Sequence, residues 1–314
     1  MSKARADLFS RLNSLRYCLT ESVLLDGAPT DRRKNEVAVM YRNGLAVLAF
    51  AIMEAYIRDR TAEVLSSFNN TVRFADLSEK LQFATTVGAL KAVLFRLNLV
   101  DKADQVTWTL SQVPAIANAA TNVSTLSAFS FGQSKSNIGG DDVSEILNAF
   151  GIDGGWTAIS AIAKRVGIGG VADYCQSFKN LADRRHSAAH DITANIPLND
   201  LNNSITEIIG ICCSFDLLLS HSLSLHNLNQ IPNKARGRVE NGHIKLRFIS
   251  AHPSRANFFR EQVEVKGGLA NPHTVKNHPT LEAAETAALN ISKLKHQQLV
   301  FLDSKAIPEK WSTW

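Results

Sequence analysis

The chain has 314 residues, of which 45% are hydrophobic and 20% are charged. These values are typical of a globular protein and exclude disordered and fibrous classes, while the length suggests about two domains. The formal net charge of +5 permits an anionic partner without requiring one.

The cysteines and the apolar segments indicate a cytoplasmic protein. No C-x-x-C pair occurs, so the cysteines are interpreted as small core residues in a reducing compartment (Cys18, Cys175, Cys212 and Cys213). The N-terminal segment resembles an amphipathic helix rather than a secretion signal. The most apolar runs, 46–53 and 208–219, are too short to span a bilayer. We therefore expect no membrane association.

Helical periodicity extends over most of the chain. Apolar residues from Leu8 to Val23 recur at three- and four-residue spacing and predict a first helix that ends near Gly27. Further helices are predicted over 33–68, 77–99, 102–128 with a break before Pro114, 142–150, 155–167, 170–189 and 199–227. The fold class is therefore mainly α.

The pattern becomes β-rich after Leu228. An Asn241-Gly242 turn predicts a hairpin over 238–249, strands are predicted over 258–265 and 298–302, and a helix over 280–294. Residues 229–314 carry 13 Lys/Arg against 7 Asp/Glu, so the positive excess lies here. We predict a helical domain over 1–228 and a small basic α+β domain over 229–314, the likelier place for a broad contact with nucleic acid.

The helix that starts near Val171 carries a candidate site at its C-terminal end. Its apolar stripe runs through Tyr174, Phe178 and Leu181, and the same spacing leads to Arg185. A guanidinium on a stripe that faces the core needs a carboxylate, a phosphate or an interface. A structural ion pair is the alternative to a catalytic role.

Asp183, His186 and His190 fall within about 60° on an ideal helix, which raises the alternative of a zinc site. However, Ser187 stands where the metal-binding H-E-x-x-H pattern has its glutamate. We therefore expect no metal and no other cofactor.

RNA cleavage is a reaction that needs no metal, because each 2′-hydroxyl is a nucleophile next to a phosphate. An imidazole with a pKa near 6.5 can move protons, and a bidentate cation can stabilise the charged transition state. His190 suits the first role and Arg185 suits the second. The small residues between them, Ser187 to Ala189, would let a sugar-phosphate backbone or a second protein copy approach closely.

The R-x4-H pattern at a helix end in an all-α region resembles the HEPN superfamily, and more closely its RiboL-PSP type. The resemblance also rests on 42–56, on 136–152 and on 196–201, and covers most of 35–225. It implies a helical bundle that dimerises so that two motifs form a composite, metal-independent endoribonuclease site. It also implies toxin, anti-phage or RNA-processing roles, and some members lack activity.

Carried over by position, Arg185 and His190 match the motif, and His186 matches its polar position. Glu54 is a further candidate that would orient Arg185 or His190, with an ion pair to Arg58 as the alternative. Arg184 leaves an R-x5-H frame open. Ile192 stands where a toxin subgroup has tyrosine, which puts regulation by modification of that tyrosine in doubt.

Arg185 and His190 lie about 140° apart on a straight helix. Either the helix frays near Ala189 or the two residues pair between subunits. We therefore expect an endoribonuclease that is a homodimer with its site at the interface, acting on RNA in a toxin or anti-phage role, with an inhibitory or defence-system protein as a further partner. The alternative is a catalytically inactive dimerisation or RNA-binding module.

Overall fold

Helices form most of the chain up to Asn227, and a mixed sheet follows. The structure is a computed structural model that describes residues 2–133, 136–228, 230, 239, 241–265 and 268–313. The helices are α1 (Lys3–Cys18), α2 (Arg32–Leu65), α3 (Glu79–Phe83), α4 (Ala89–Leu97), α5 (Gln105–Ala117), α6 (Gly140–Ala149), α7 (Trp156–Arg165), α8 (Tyr174–His190), α9 (Leu198–Asn227) and α10 (Leu281–Lys295). The mainly α fold class is confirmed.

Local capping sets several helix starts. Asp31 accepts a hydrogen bond from the Lys34 amide at the start of α2, and Thr280 accepts one from the Ala283 amide at the start of α10. Each cap supplies an acceptor for an amide that lacks a partner in the first turn. A π-helical turn, Ala84–Gly88, joins α3 to α4 within the segment predicted as one helix.

Helix α9 is the central helix of the bundle. Both α2 and α9 are long and apolar enough to cross a membrane by length and composition, a test that core helices also pass. The apolar window of α9 is 83% buried, whereas that of α2 is only 39% buried. α9 is thus a core helix, while α2 keeps an exposed side.

In the described part of the chain, the sheet has five strands in the order β3-β2-β1-β4-β5. They are β1 (Leu246–Ala251), β2 (Phe259–Val265), β3 (Gly268–His278), β4 (Gln298–Leu302) and β5 (Pro308–Ser312). β1 pairs with β4 in parallel, and the other pairs are antiparallel. The predicted strands 258–265 and 298–302 correspond to β2 and β4.

The sheet is packed between the helical bundle and α10. Phe248, Val300 and Leu302 belong to the main hydrophobic core, which is continuous with the bundle. Ile249 and Leu299 lie on the other face of the sheet, in a small core with α10. This arrangement follows from the alternation of side chains along each strand. The division at residue 228 coincides with the end of α9, and the independence of the two parts stays a prediction.

Two local predictions are wrong. The predicted hairpin turn at Asn241-Gly242 is instead a short 3-10 turn, Asn241–His243, and both edges of β1 pair with other strands, β2 and β4. Val239 instead bridges to Ile152, while residues 238 and 240 lie outside the described residues. Helix α5 continues through Pro114, because a proline disfavours a helix without forbidding it. β3 and β5 are not predicted from the sequence, because neither strand has a regular alternation of apolar and polar residues.

A buried carboxylate joins the helices to the last strand. Asp216 on α9 is fully buried and accepts hydrogen bonds from Arg5 Nε at 2.6 Å and Arg60 Nε at 2.7 Å. Tyr56 Oη donates to it at 2.6 Å and Trp311 Nε1 at 2.8 Å. The carboxylate thereby ties α9 to α1, α2 and β5.

The charge state of Asp216 follows from its two arginine neighbours. Burial alone would raise the pKa of Asp216, but the charges of Arg60 and Arg5, with their hydrogen bonds, outweigh it. The pKa is therefore held well below the ordinary value, and the carboxylate is ionised at neutral pH.

We expect Asp216→Asn to lower the free energy of unfolding by about 3–5 kcal/mol, because the buried Arg5 guanidinium loses its carboxylate partner and Arg60 keeps only Glu63. Urea unfolding followed by circular dichroism measures the change. Since the folded-state pKa is depressed, the difference from wild type should be complete at neutral pH and shrink below about pH 4. Asp183→Asn, an exposed change on α8, is the control. Equal losses for both variants would contradict the central role of Asp216.

Candidate active site

Helix α8 carries the motif and is continuous through it. Asp173 caps the helix by accepting hydrogen bonds from the amides of Cys175 and Gln176, so α8 begins at Tyr174 rather than at the predicted 170. At the other end the helix extends to His190, and the Asp191 amide donates to the Ser187 carbonyl. The helix therefore does not fray before His190, and Arg185 and His190 point about 140° apart.

The apolar stripe of α8 ends before Arg185. Tyr174, Phe178 and Leu181 are buried, whereas Arg185 is half-buried at the margin of the core. Its Nη2 atom lies 3.4 Å from the Oδ1 atom of Asn137, which is a long and weak hydrogen bond. Within the described residues no carboxylate pairs with Arg185, so its charge is open to an anion.

Arg184 differs sharply from its neighbour. It forms ion pairs with two carboxylates of α9. Its Nη1 atom lies 3.3 Å from Glu207 Oε2, and its Nε atom lies 3.6 Å from Asp200 Oδ2. Burial raises the pKa of Glu207, and the charge of Arg184 opposes that rise. Arg184 thus holds α8 to α9, which favours Arg185 over Arg184 as the motif arginine.

The histidines of the motif lie at the exposed end of α8. His186 and His190 are both exposed, and their ring centroids are 4.8 Å apart with an angle of 50° between the planes. Asp191 follows directly, and hydrogen bonds from the Thr193 hydroxyl and amide lower its pKa. Solvent therefore reaches both imidazoles, beside a carboxylate that stays ionised.

Nothing in the described part of the chain assembles three or more His, Cys, Asp or Glu side chains around a metal position. Asp183 is exposed on α8, in the same part of the helix as His186. The zinc alternative thus gains no geometric support from these residues.

Glu54 reaches the site indirectly. It forms an ion pair with Arg58 at 3.1 Å and accepts a hydrogen bond from the Ile138 amide. Arg58 in turn donates to the carbonyl oxygens of Gly132 at 2.8 Å and Ser136 at 3.0 Å. The Glu54–Arg58 pair therefore holds the segment that ends at Ile138. Asn137, which contacts Arg185, precedes Ile138 in this segment.

Asn137 is the residue that the motif-based reasoning missed. The sequence places it in a polar, glycine-rich stretch, where an asparagine is ordinary turn chemistry. Only the attachment of that stretch to α2, through Glu54 and Arg58, brings the Asn137 amide to Arg185.

The comparisons with known proteins identify one family. A family model described as RiboL-PSP-HEPN matches residues 6–221, which include most of α1, all of α2 to α8 and most of α9. No curated protein and no solved structure matches the chain significantly.

We expect Glu54→Ala to cost about 1–3 kcal/mol, because it leaves the Ile138 amide and the Arg58 guanidinium without this acceptor. Hydrogen exchange read by mass spectrometry should accelerate in the segment around Ile138. Glu145→Ala, an exposed change on α6, should leave exchange there unaltered. Unchanged exchange in the Glu54 variant would show that the segment is held by other contacts.

Proposed function

The chain belongs to the RiboL-PSP-HEPN family, and from that membership we propose that it is a metal-independent endoribonuclease with Arg185 and His190 in its active site. HEPN domains are often ribonucleases and often form dimers. The observation that carries the proposal is that Arg185 has no carboxylate partner in the described structure, while the adjacent Arg184 has two.

The proposed active site is shared between two subunits. Arg185 and His190 diverge by about 140° on the continuous helix α8, so one copy does not aim both at a single phosphate. A twofold axis near the end of α8 would place Arg185 of one subunit opposite the partner's His190, and the reverse. Each dimer would then hold two equivalent sites.

The reaction divides between these groups in a simple way. A neutral imidazole of His190 takes the proton from the 2′-hydroxyl, whose oxygen attacks the neighbouring phosphorus while the bond to the 5′-oxygen breaks. A protonated imidazole or water returns a proton to the leaving 5′-oxygen. Arg185 holds the nonbridging oxygens and stabilises their added charge. The products are a 2′,3′-cyclic phosphate and a 5′-hydroxyl.

His186, Asn137 and Glu54 have supporting roles in this proposal. His186 lies beside His190 and offers a second exposed imidazole for phosphate contact or proton return. Asn137 offers Arg185 a weak, neutral hydrogen-bond acceptor at 3.4 Å, and Glu54 acts as a positioning residue that holds the segment of Asn137. A guanidinium held in place loses less freedom when it binds phosphate.

An exposed apolar stripe on α2 supports a dimer. Val37, Met40, Tyr41 and Leu48 lie on one side of the helix and are 36%, 73%, 56% and 45% exposed. Between them, a Cβ atom at Gly44 would meet nothing within 4 Å, so packing within one copy does not require glycine there. An apolar helical face with a small residue at its centre suits close contact with a second helix.

This stripe is connected to the segment that follows the motif. Asn43 donates to the Ala194 carbonyl at 2.7 Å and accepts from the Ile196 amide, while Arg42 donates to the Ile196 carbonyl at 3.1 Å. These hydrogen bonds therefore hold α2 to the residues just beyond His190. A dimer formed through α2 would fix the ends of both α8 helices relative to each other.

The cellular setting is also part of the proposal. An RNA-cutting enzyme that needs no cofactor must be restrained, which suits a toxin or anti-phage protein of the cytoplasm with an inhibitory or defence-system partner. The excess of Lys and Arg in 229–314 suits selection of an RNA target by that part.

We expect the purified protein to cut single-stranded RNA in the presence of EDTA. Arg185→Ala and His190→Ala should each lower the rate by about 10²–10⁴-fold, because each removes a group acting in the transition state. Gel analysis with end-group mapping measures the rate and tests for cyclic phosphate ends. Lys179→Ala, an exposed change on the same helix, should cut at the wild-type rate.

The outcomes separate the alternatives. Cleavage by wild type that disappears on chelation would favour the zinc interpretation, and full activity of His190→Ala would overturn the site. RNA binding without cleavage would favour the inactive binding module. Mixing Arg185→Ala with His190→Ala tests the shared site. If subunits exchange at random, half of the dimers are mixed and one of the two sites in each mixed dimer is intact. About a quarter of the wild-type rate should therefore return. A site within one subunit would regain nothing.

We expect Leu48→Glu to produce monomers, because a charge in the centre of the α2 stripe would have to be buried against the second copy. Multi-angle light scattering at micromolar concentration measures the mass. Leu294→Glu is the matched control, since Leu294 is 81% exposed on α10 and is far along the chain from the stripe. A dimeric Leu48 variant would exclude this face as the interface.

A further inference from the structure

A cavity lies between the C-terminal half of α9 and the sheet. Its volume is about 450 Å³, within the usual range of small-molecule sites. None of its lining residues belongs to the R-x4-H motif. The lining residues that matter below are His221, Leu225, Leu228, Lys245, Lys295 and Gln298.

Gln298 brings an unpartnered polar atom to this cavity. It is the first residue of β4 and is only 3% exposed, yet its Oε1 atom has no hydrogen-bond partner among the described residues. Alternation along β4 puts Gln298 on the same side as Val300 and Leu302, the side that faces the bundle. A buried amide oxygen in this position is available to a hydrogen-bond donor, which ordered water or a ligand supplies.

His221 provides a second unpartnered atom on the opposite wall. Its Nε2 atom is buried and makes no hydrogen bond to any residue that the structure describes. Burial, with the nearby charges of His243 and Arg165, lowers the pKa of His221 to about 4, so the ring is neutral at neutral pH. A neutral imidazole nitrogen can donate or accept a hydrogen bond, depending on its tautomer.

The rim of the cavity is basic. Lys245 and Lys295 are exposed, and neither forms an ion pair with any residue that the structure describes. No Asp or Glu is present among the described lining residues. Leu225 and Leu228 form an apolar part of the lining, the leucine wall. Gln298 and His221 form its polar floor. The cavity thus combines a place for an anion, a place for a flat apolar face, and unsatisfied hydrogen-bonding groups.

We propose that this cavity binds a nucleoside phosphate. The phosphate lies between Lys245 and Lys295, the base packs on the leucine wall, and its polar edge pairs with Gln298 and His221. Inorganic phosphate would leave the floor groups unpaired, so it does not account for them. The same chemistry occurs in a free mononucleotide and at the end of an RNA strand. The site is independent of the proposed ribonuclease activity.

The first test is thermal unfolding and calorimetry of the full chain with AMP, GMP, CMP and UMP, each beside its nucleoside and inorganic phosphate. At least one monophosphate should raise Tm and bind at least tenfold more tightly than its nucleoside and than phosphate. No Tm shift with any monophosphate would overturn the proposal, as would equal binding of phosphate alone. None of these probes can be cleaved by an endoribonuclease.

Substitutions locate the site. Lys245→Gln combined with Lys295→Gln should weaken nucleotide binding at least tenfold, and Lys293→Gln, an exposed lysine on α10 outside the cavity, should not. Gln298→Leu should weaken nucleotide binding without changing the affinity for inorganic phosphate. The unliganded Tm of each variant reports whether it folds. Wild-type affinity in the double lysine variant would overturn the proposal.

Competition identifies the source of the ligand. A 5′-phosphorylated, 2′-O-methyl RNA pentamer, which has no free 2′-hydroxyl to attack, is titrated against the bound monophosphate. Displacement by this RNA, but not by the same RNA without its phosphate, supports an RNA end as the ligand. A lack of displacement supports a free nucleotide.

Discussion

The buried Asp216 carboxylate is the interaction on which the rest of the structure depends. It accepts hydrogen bonds from α1, α2 and the last strand, so one charge fixes α9 relative to three other elements. Two buried arginines around one carboxylate depend on that charge, because without it Arg5 loses its carboxylate partner and Arg60 keeps only Glu63. α9 in turn carries Glu207, which pairs with Arg184. The orientation of α8, and with it the candidate site, follows from this arrangement.

Two adjacent arginines on α8 have different surroundings, and this contrast supports the proposed site. Arg184 is held by carboxylates and serves the packing of α8 on α9. Arg185, one residue further around the helix, makes a side-chain hydrogen bond to an amide and pairs with no carboxylate in the described structure, which is why we propose it as the phosphate-binding group. The segment of Asn137 is fastened by Glu54 and Arg58. Rigid support beneath an open cation is what binding a phosphate requires.

The sheet is an integrated part of the protein rather than a distant appendage. Its inner face shares the main core with the bundle, and Trp311 reaches Asp216. The cavity beside Gln298 and His221 exists only because the two parts pack together. Neither part alone would leave these polar atoms buried, so occupancy of that cavity and the packing of the sheet on α9 should depend on each other.

The sequence alone determined the helical class, the position of nearly every long helix, and the Arg185 to His190 motif. These depend on local periodicity, capping and residue spacing, which neighbours along the chain decide. The tertiary structure decided which strands pair with β1, that Arg184 pairs with carboxylates while Arg185 does not within the described residues, and that Glu54 contacts Arg58 and the Ile138 amide. Each of those outcomes depends on contacts between residues far apart in the chain, such as Glu54 with Ile138 and Arg184 with Glu207, and no local pattern encodes them.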